Sequence, residues 1–356
     1  MPPPGRNLRS GTVAEERAPM TIMVVELVLS AVAIVVAAAL FTNAVEILGD
    51  RLNLGQGAVG SVLAAVGTAL PETMIPVVAV VASIFTGSSA AGEVGVGAIL
   101  GAPFLLATLA MCVVGVAALS FRRRRESDDD VMIDKGAARR DMRFFLVLFA
   151  LGAAAGIAPV HFFLKAALAV LLLVAYAFYV WRTIKSGGES IEDPPGKLTL
   201  WRSGSEAPMW AVAAQVLGTV VVMGAAAHYF VSAVEHLSEA AGLPPGLIAL
   251  VLAPLATELP EKFNSVIWLR GNKDTLALGN ITGAMVFQSS VPVALGLAFT
   301  SWSLDLLNAL SAGLALLGGA YLYVLVRRKE PIEAEYLLVG GALYVVFLAV
   351  ALVTIL

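Results

Sequence analysis

Charged residues and cysteine are both scarce in this 356-residue chain, and each scarcity excludes a class of protein. Only 14% of the residues are Asp, Glu, Lys or Arg, whereas 59% are hydrophobic, which is more apolar surface than a soluble core of this length needs. The single cysteine, Cys112, excludes an intrachain disulfide and a thiolate metal cluster. The three histidines, His161, His228 and His236, show no metal-ligand spacing.

Motifs of intramembrane enzymes are also missing. No HExxH zinc motif, Gly-x-Ser-x-Gly elbow or pair of aspartates occurs in an apolar segment. We therefore expect neither an enzyme nor a cofactor. The polar residues 1–20 contain no short apolar core followed by a cleavage site, so the first apolar segment is expected to be retained rather than removed as a signal peptide.

What the sequence has in abundance is long apolar segments separated by short polar loops. They exceed the roughly 18 to 20 residues that are needed to cross the hydrocarbon of a bilayer. The predicted spans are 21–47, 57–86, 94–120, 144–160, 162–181, 207–235, 244–268, 275–301, 303–326 and 333–356. The expected fold class is therefore an all-α integral membrane protein with ten transmembrane helices.

Basic residues are concentrated on one side of the membrane if these helices alternate in direction. The basic loops lie near residue 51 and at 121–143, 182–206, 269–274 and 327–332. The opposite face holds Arg6, Arg9 and Arg17, with Lys165 and Lys262 inside spans. The positive-inside rule places the basic loops in the cytoplasm and both termini outside. The expected location is the cell membrane of a prokaryote.

The two halves of the chain repeat one another. Residues 67–72 read Gly-Thr-Ala-Leu-Pro-Glu and residues 256–261 read Ala-Thr-Glu-Leu-Pro-Glu, at a constant offset of 189 positions that begins with Phe41 and Phe230. Further on, a glycine pair at 97 and 101 matches a pair at 279 and 283 at an offset of 182. Such offsets over tens of residues indicate an internal duplication.

Each half holds five predicted spans, so the second half enters the membrane from the opposite side. This predicts an inverted-topology repeat with a pseudo-twofold axis in the membrane plane and alternating access around a midplane site. The expected division begins with a polar tail at 1–20 and a first five-helix repeat at 21–181, whose motif-bearing core is 57–115. A cytoplasmic linker follows at 182–206. The second five-helix repeat is 207–356, and its core is 244–296.

The prolines of the repeated motif predict a helix interruption near the middle of each span. Pro71 cannot donate to the carbonyl of Gly67, and Pro260 cannot donate to that of Ala256. Carbonyl oxygens freed inside a membrane are tolerated where they line a cavity or meet a partner. A bound cation is a suitable partner.

Carboxylates and hydroxyls accompany these carbonyls. Thr68 and Thr257 lie one helical turn from Glu72 and Glu261, so each half offers hard oxygen donors of the kind that Ca²⁺ or Na⁺ prefers. The alternative is a simple proline kink whose glutamate side chain extends to the membrane surface. It is disfavoured because both glutamates lie deep within their predicted spans and occur symmetrically in the two halves.

Three further polar residues belong to the second half. Glu258 is an additional acid, but Lys262 follows four residues later and can pair with it across one helical turn. Alternatively, Lys262 acts as a tethered cation at the site. Gln288 lies in an apolar span, where a site or gating role competes with ordinary helix packing.

These motifs resemble the cation/calcium exchanger superfamily, especially its sodium/calcium exchanger branch, of which the chain looks like a divergent member. The family signature is a Gly-Thr-Ser-Leu-Pro-Glu core with a later Gly-Asn-x-x-Gly-Ser-Asn block. Residues 67–72 keep five of the six core positions and residues 256–261 keep four. The resemblance implies an antiporter that exports Ca²⁺ against another cation, with Glu72 and Glu261 as central ligands.

The departures from the family pattern concern the choice of ions. Ala69, Ala256 and Glu258 alter the cores, and Leu106 and Gln288 stand where the family usually carries a further Asn or Asp. Exchange of several sodium ions per calcium relies on those positions in the family and does not carry over. The negative charge of the two remaining carboxylates equals the positive charge of one divalent cation, two protons or two monovalent cations.

The expected function is secondary active antiport, of Ca²⁺ for Na⁺ or H⁺, at a two-glutamate midplane site. The alternatives are a Na⁺/H⁺ antiporter on the same fold and a transport-inactive sensor or structural relative, while the lack of a filter-like loop argues against a channel.

The expected partners are inorganic cations and the lipid bilayer, not nucleic acid. The candidate ligands are Glu72, Glu261, Thr68, Thr257, Gly67, Ala256, Gln288 and Glu258, with Lys262 as a charge partner.

Overall fold

The fold is described from a computed structural model. It describes residues 20–51, 58–128, 130–158, 160–185, 197–201, 206–328 and 331–355, without the side chains of 49, 50, 58–71, 259–261 and 264. The described chain is helical almost throughout, and it contains one two-stranded antiparallel sheet between β1 (Asp130–Val131) and β2 (Ile332–Glu333).

Both halves of the described chain consist mainly of helices. The helices of the first half are α1 (Met20–Arg51), α2 (Ala58–Thr86), α3 (Ser89–Leu105), α4 (Met111–Phe121), α5 (Lys135–Ile157) and α6 (Phe162–Lys185). Those of the second half are α7 (Met209–Ala241), α8 (Pro245–Arg270), α9 (Asp274–Gln288), α10 (Val291–Phe299), α11 (Leu306–Arg328), α12 (Ala334–Leu337) and α13 (Val339–Ile355).

Seven helical segments of the described chain are long and apolar enough to cross a membrane. Two shorter apolar stretches, Glu72–Thr86 in α2 and Pro245–Glu258 in α8, accompany them. The all-α membrane class predicted from the sequence is therefore confirmed. The count of ten spans and their inverted arrangement stay predictions.

The two motif prolines do not interrupt their helices. The helix assignment of α2 continues through Pro71 and that of α8 through Pro260, which corrects the predicted breaks. A proline removes one backbone hydrogen bond, and a helix packed on neighbours can continue past it with a kink.

Helix geometry changes at two other places. A π-helical turn at Leu106–Ala110 joins α3 to α4, and α9 ends at Gln288 before α10 begins at Val291. These irregularities begin at Leu106 and immediately after Gln288, the two positions that depart from the pattern of the family that the sequence resembles. Irregular turns inside helices are common at functional sites because they redirect side chains and backbone groups.

The cores of the two halves pack tightly through glycine. Helix α3 lies along α8, and α1 lies along α7. A Cβ atom at Gly97 would overlap the backbone carbonyl of Gly246, and one at Gly101 would overlap that of Leu250. These two glycines therefore allow the backbones of the first and second halves to touch.

The matching glycines of the second half have a different environment. A Cβ atom at Gly279 would meet nothing within 4 Å, and one at Gly283 would just reach the Tyr179 hydroxyl at 4.0 Å. Close helix packing through glycine therefore occurs at the first pair and not at the second. The two halves thus share the spacing of these glycines but not their packing against neighbouring helices.

Gly101→Ala should therefore destabilise the protein while Gly279→Ala should not. The added methyl at position 101 meets backbone, which cannot rotate away, and overpacking of this kind costs about 1 to 3 kcal/mol. At the open position 279 alanine is neutral or slightly stabilising, because it is the better helix former. Thermal unfolding of the two detergent-solubilised variants measures the difference, and equal transitions would contradict it.

Candidate cation site

Four polar side chains from three helices converge in the interior. Glu72 comes from the middle of α2, Glu258 and Lys262 from successive turns of α8, and Gln288 from the last residue of α9. Their exposed fractions are 7%, 0%, 1% and 2% respectively. Buried ionisable groups in an apolar protein are costly unless paired, so their convergence marks this place as the candidate site.

The amide of Gln288 joins carboxylates from the two halves. Its Nε2 atom donates to Oε2 of Glu72 at 2.6 Å and to Oε1 of Glu258 at 2.7 Å. A primary amide has two N–H donors, and ionised carboxylates only accept, so the nitrogen must be the atom that faces them. The two carboxylate oxygens therefore lie on either side of one neutral amide donor, each within hydrogen-bond distance of its nitrogen.

Lys262 belongs to the same cluster. Its Nζ lies 3.7 Å from Oε2 of Glu258, the carboxylate oxygen that Gln288 does not contact. The pairing predicted from the four-residue spacing is thus observed, and it occurs inside the site rather than on a helix surface. Because both groups are buried, the pair is screened far less than a surface pair.

The contacts that the structure shows for Thr257 and Ala256 are with other residues. The Thr257 hydroxyl donates to the Ala253 carbonyl of its own helix at 3.0 Å, and Ala256 packs against a hydrophobic cluster around α1, α2 and α7. Gly67, Thr68 and Glu261 lie outside the side chains that the structure describes. Among the side chains that it does describe, no three His, Cys, Asp or Glu groups gather as a metal site.

Asp141 is a further buried acid, one that the sequence motifs do not single out. Asp141 of α5, 4% exposed, accepts hydrogen bonds from Tyr179 of α6 at 3.0 Å and from Thr282 of α9 at 2.8 Å. It ties three helices together, one of which is the helix that carries Gln288. The signal that could have found it is the threonine inside the second glycine block, a polar residue that needs a partner in an apolar helix.

The arrangement can hold a cation through hard oxygen donors. Two carboxylates and an amide from facing helices fit a calcium or sodium ion, provided that the amide turns its oxygen inward. In the conformation observed, the N–H groups of Gln288 donate hydrogen bonds to both carboxylates, and the ammonium of Lys262 supplies one positive charge beside Glu258.

Known proteins share this chain's sequence pattern and fold. The family model of the sodium/calcium exchanger protein matches residues 22–185 and 211–356. The uncharacterized membrane protein MJ0091 of Methanocaldococcus jannaschii is 22% identical over 255 residues, which are 71% of this chain and 74% of that protein.

Solved structures share the fold at low identity. The H⁺/Ca²⁺ exchanger CAX superposes with a TM-score of 0.64 at 18% identity, covering 94% of this chain and 89% of CAX. Native YfkE gives 0.66 at 12% identity, over 93% and 96% of the two chains. The sodium-calcium exchanger NCX_Mj gives 0.57 at 19% identity, over 93% and 99%. With the family model matching most of its length, the chain belongs to the sodium/calcium exchanger protein family.

Proposed function

We propose that this protein is a secondary active antiporter that exchanges Ca²⁺ for Na⁺ or H⁺ at the site formed by Glu72, Glu258 and Gln288. The observation that carries the proposal is the Gln288 amide, which bridges a carboxylate of the first half and one of the second half. A site whose ligands come from both halves opens or closes when the halves move relative to each other, as alternating access requires.

The charges of the site suit one divalent cation. The motif acids Glu72 and Glu261, together with Glu258, carry three negative charges and Lys262 carries one positive charge, which leaves two negative charges to neutralise. One Ca²⁺ or two monovalent cations supply that charge. Lys262 thereby takes the place that a further transported cation would occupy.

The Gln288 amide has two orientations in this proposal. In the one described, its nitrogen lies between the two carboxylates and donates to both. Binding of a cation requires the amide to rotate so that its oxygen faces the cation. The break between α9 and α10 directly after Gln288 gives this segment the freedom to do so.

We propose, as part of the same function, that the two halves form an inverted repeat with a fixed orientation in the membrane. Ten spans in two five-helix halves, with the basic loops in the cytoplasm and both termini outside, follow from the sequence offset and the positive-inside rule. The contact of α3 with α8 through Gly97 and Gly101 supports it, because equivalent cores of two inverted halves meet face to face.

Flux into proteoliposomes tests the function directly. Purified protein is reconstituted, and uptake of ⁴⁵Ca²⁺ and ²²Na⁺ is followed with either a sodium gradient or a pH gradient imposed. Calcium uptake driven by one of these gradients is the expected result. Sodium uptake driven by the pH gradient without calcium transport would assign the Na⁺/H⁺ alternative, and no flux of either ion would assign a transport-inactive relative.

Gln288→Glu is expected to destabilise the ion-free protein and to make it depend on calcium. The substitution removes two N–H donors and places a third carboxylate against Glu72 and Glu258, which costs about 1 to 3 kcal/mol in a buried position. A divalent cation relieves that repulsion. Thermal unfolding with and without Ca²⁺ should therefore show a larger calcium-dependent rise in the variant than in the wild type.

Gln215→Glu is the matched control. Gln215 is similarly buried and its amide nitrogen donates to Leu40 and Asn43, away from the carboxylates. This variant should lose stability without recovering it in Ca²⁺. If calcium stabilises the two variants equally, Gln288 is not at the cation site.

A further inference from the structure

Arginines from two helices surround one tyrosine at the basic end of the bundle. The guanidinium carbons of Arg143 in α5 and Arg327 in α11 each lie 5.8 Å from the ring centroid of Tyr323. Nε of Arg143 also donates to the Tyr323 hydroxyl at 3.0 Å, and Arg139 is close enough for its charge to act on the same phenol. Cations held this close repel one another unless an anion lies between them.

The protein itself does not supply that anion within its described part. Neither Arg143 nor Arg327 forms an ion pair there. The nearby acids are engaged elsewhere, since Asp141 accepts from Tyr179 and Thr282. Asp134 caps the start of α5 by accepting from two backbone N–H groups. Within the described residues, the guanidiniums of Arg143 and Arg327 therefore remain available to an external anion.

Apolar side chains continue from this basic cluster along the outer faces of both helices. Val147 is one turn from Arg143 and is 59% exposed, and Val324 is three residues before Arg327 and is 42% exposed. Helix α11 is one of the candidate membrane spans, and the arginine lies in its last turn. A charged head above an exposed apolar face is the complement of a phospholipid, not of a soluble anion.

We propose that Arg143, Arg327 and Tyr323 form a binding site for the headgroup phosphate of an anionic phospholipid, whose acyl chain lies along Val147 and Val324. Guanidiniums match phosphate oxygens through paired, charge-assisted hydrogen bonds. The Tyr323 hydroxyl accepts from Arg143 and keeps its own proton to donate to a phosphate oxygen. Basic pockets between membrane helices on the cytoplasmic side are the usual form of such sites.

Native mass spectrometry of the detergent-solubilised full chain tests this site. Phosphatidylglycerol or phosphatidylcholine is added, and the retained lipid is counted. The wild type should retain phosphatidylglycerol preferentially. Arg143→Gln with Arg327→Gln should lower its binding about twenty-five-fold, since each arginine near an anionic headgroup contributes a factor of about five.

Arg182→Gln with Arg270→Gln is the matched control, because both arginines are exposed and belong to other basic loops of the same predicted membrane face. It should retain phosphatidylglycerol within about twofold of the wild type, as expected for surface charges away from a specific site. Arg143→Lys with Arg327→Lys keeps the charge and the fold but removes the planar fork, so its loss should be intermediate.

Three results would overturn the proposal. The control pair could lose as much lipid as the site pair, which would reduce the effect to general charge attraction. Phosphatidylcholine could bind as well as phosphatidylglycerol, which would remove the need for an anionic headgroup. Soluble glycerol phosphate could displace the lipid at equal concentration, which would assign the arginines to a free phosphate ester.

Discussion

Glu72→Gln is expected to reduce cation flux in proteoliposomes to below about 1% of the wild type. Glutamine keeps the shape of the side chain and can still accept from Gln288, but it removes one negative charge from the site. At an ion–ligand distance of about 4 Å and an effective dielectric constant of about 20, that charge is worth about 4 kcal/mol. This corresponds to about a thousandfold in cation affinity.

The variant should insert and fold normally, because one buried hydrogen-bonded group replaces another of nearly equal volume. Size-exclusion elution and thermal unfolding check this before flux is measured. Glu26→Gln in α1 is the control, since this half-buried glutamate lies in another apolar helix. It should transport within about twofold of the wild type, as most substitutions away from a site do.

Glu261→Gln provides the symmetric measurement. The repeat predicts that it has the same effect as Glu72→Gln, although the side chain of Glu261 lies outside the part of the chain described here. Normal flux in either purified variant would remove that glutamate from the site. Loss in both, with the control unchanged, would support a ligand set drawn from both halves.

The sequence predicts helix ends well where an apolar segment stops at polar residues, and less well where charged residues belong to the helix itself. The predicted span 144–160 misses the first turns of α5, which begins at Lys135. Those turns are charged, so an apolar-run criterion excludes them, although Asp134 marks the helix start by capping Gly136 and Ala137. The π-turn at Leu106–Ala110 could not be predicted, because every residue there except one threonine is apolar.

The sequence singles out each member of the buried polar cluster but predicts only one of the contacts that join them. The doubled motif identified Glu72, and helical spacing paired Glu258 with Lys262. Gln288 was recognised as a polar residue in an apolar span, but its bond to Glu72 joins residues 216 positions apart. Such a contact depends on how α2, α8 and α9 pack, which local patterns do not determine.

The glycine blocks show the same limit. Their spacing is equal in the two halves, yet Gly101 meets backbone and Gly279 meets nothing. A duplicated sequence predicts equivalent positions in the chain, whereas close packing depends on which neighbour faces each position. The asymmetry also appears farther along the two blocks, where Leu106 is buried among apolar residues and Gln288 bridges two carboxylates.

Lys262→Met should destabilise the protein by about 3 to 5 kcal/mol, the usual cost of removing one partner from a buried ion pair. It takes the ammonium away from Glu258, whose exposed fraction is zero, and leaves the site with one more uncompensated negative charge. Denaturant or thermal unfolding in detergent, without added divalent cation, measures the loss. Glu258→Gln should cost a similar amount, because it leaves the buried ammonium without that carboxylate.

The double variant Glu258→Gln with Lys262→Met should be less destabilised than either single variant. Both charges are then absent, the new amide at position 258 can still accept from Gln288 through its oxygen, and methionine fills the volume of the lysine stem, so the remaining cost is about 1 kcal/mol. The coupling energy from the four proteins isolates the pair from its surroundings. A double variant less stable than Lys262→Met alone would show that the 3.7 Å contact is not a stabilising ion pair, and Lys262 would then act on the site as a cation in its own right.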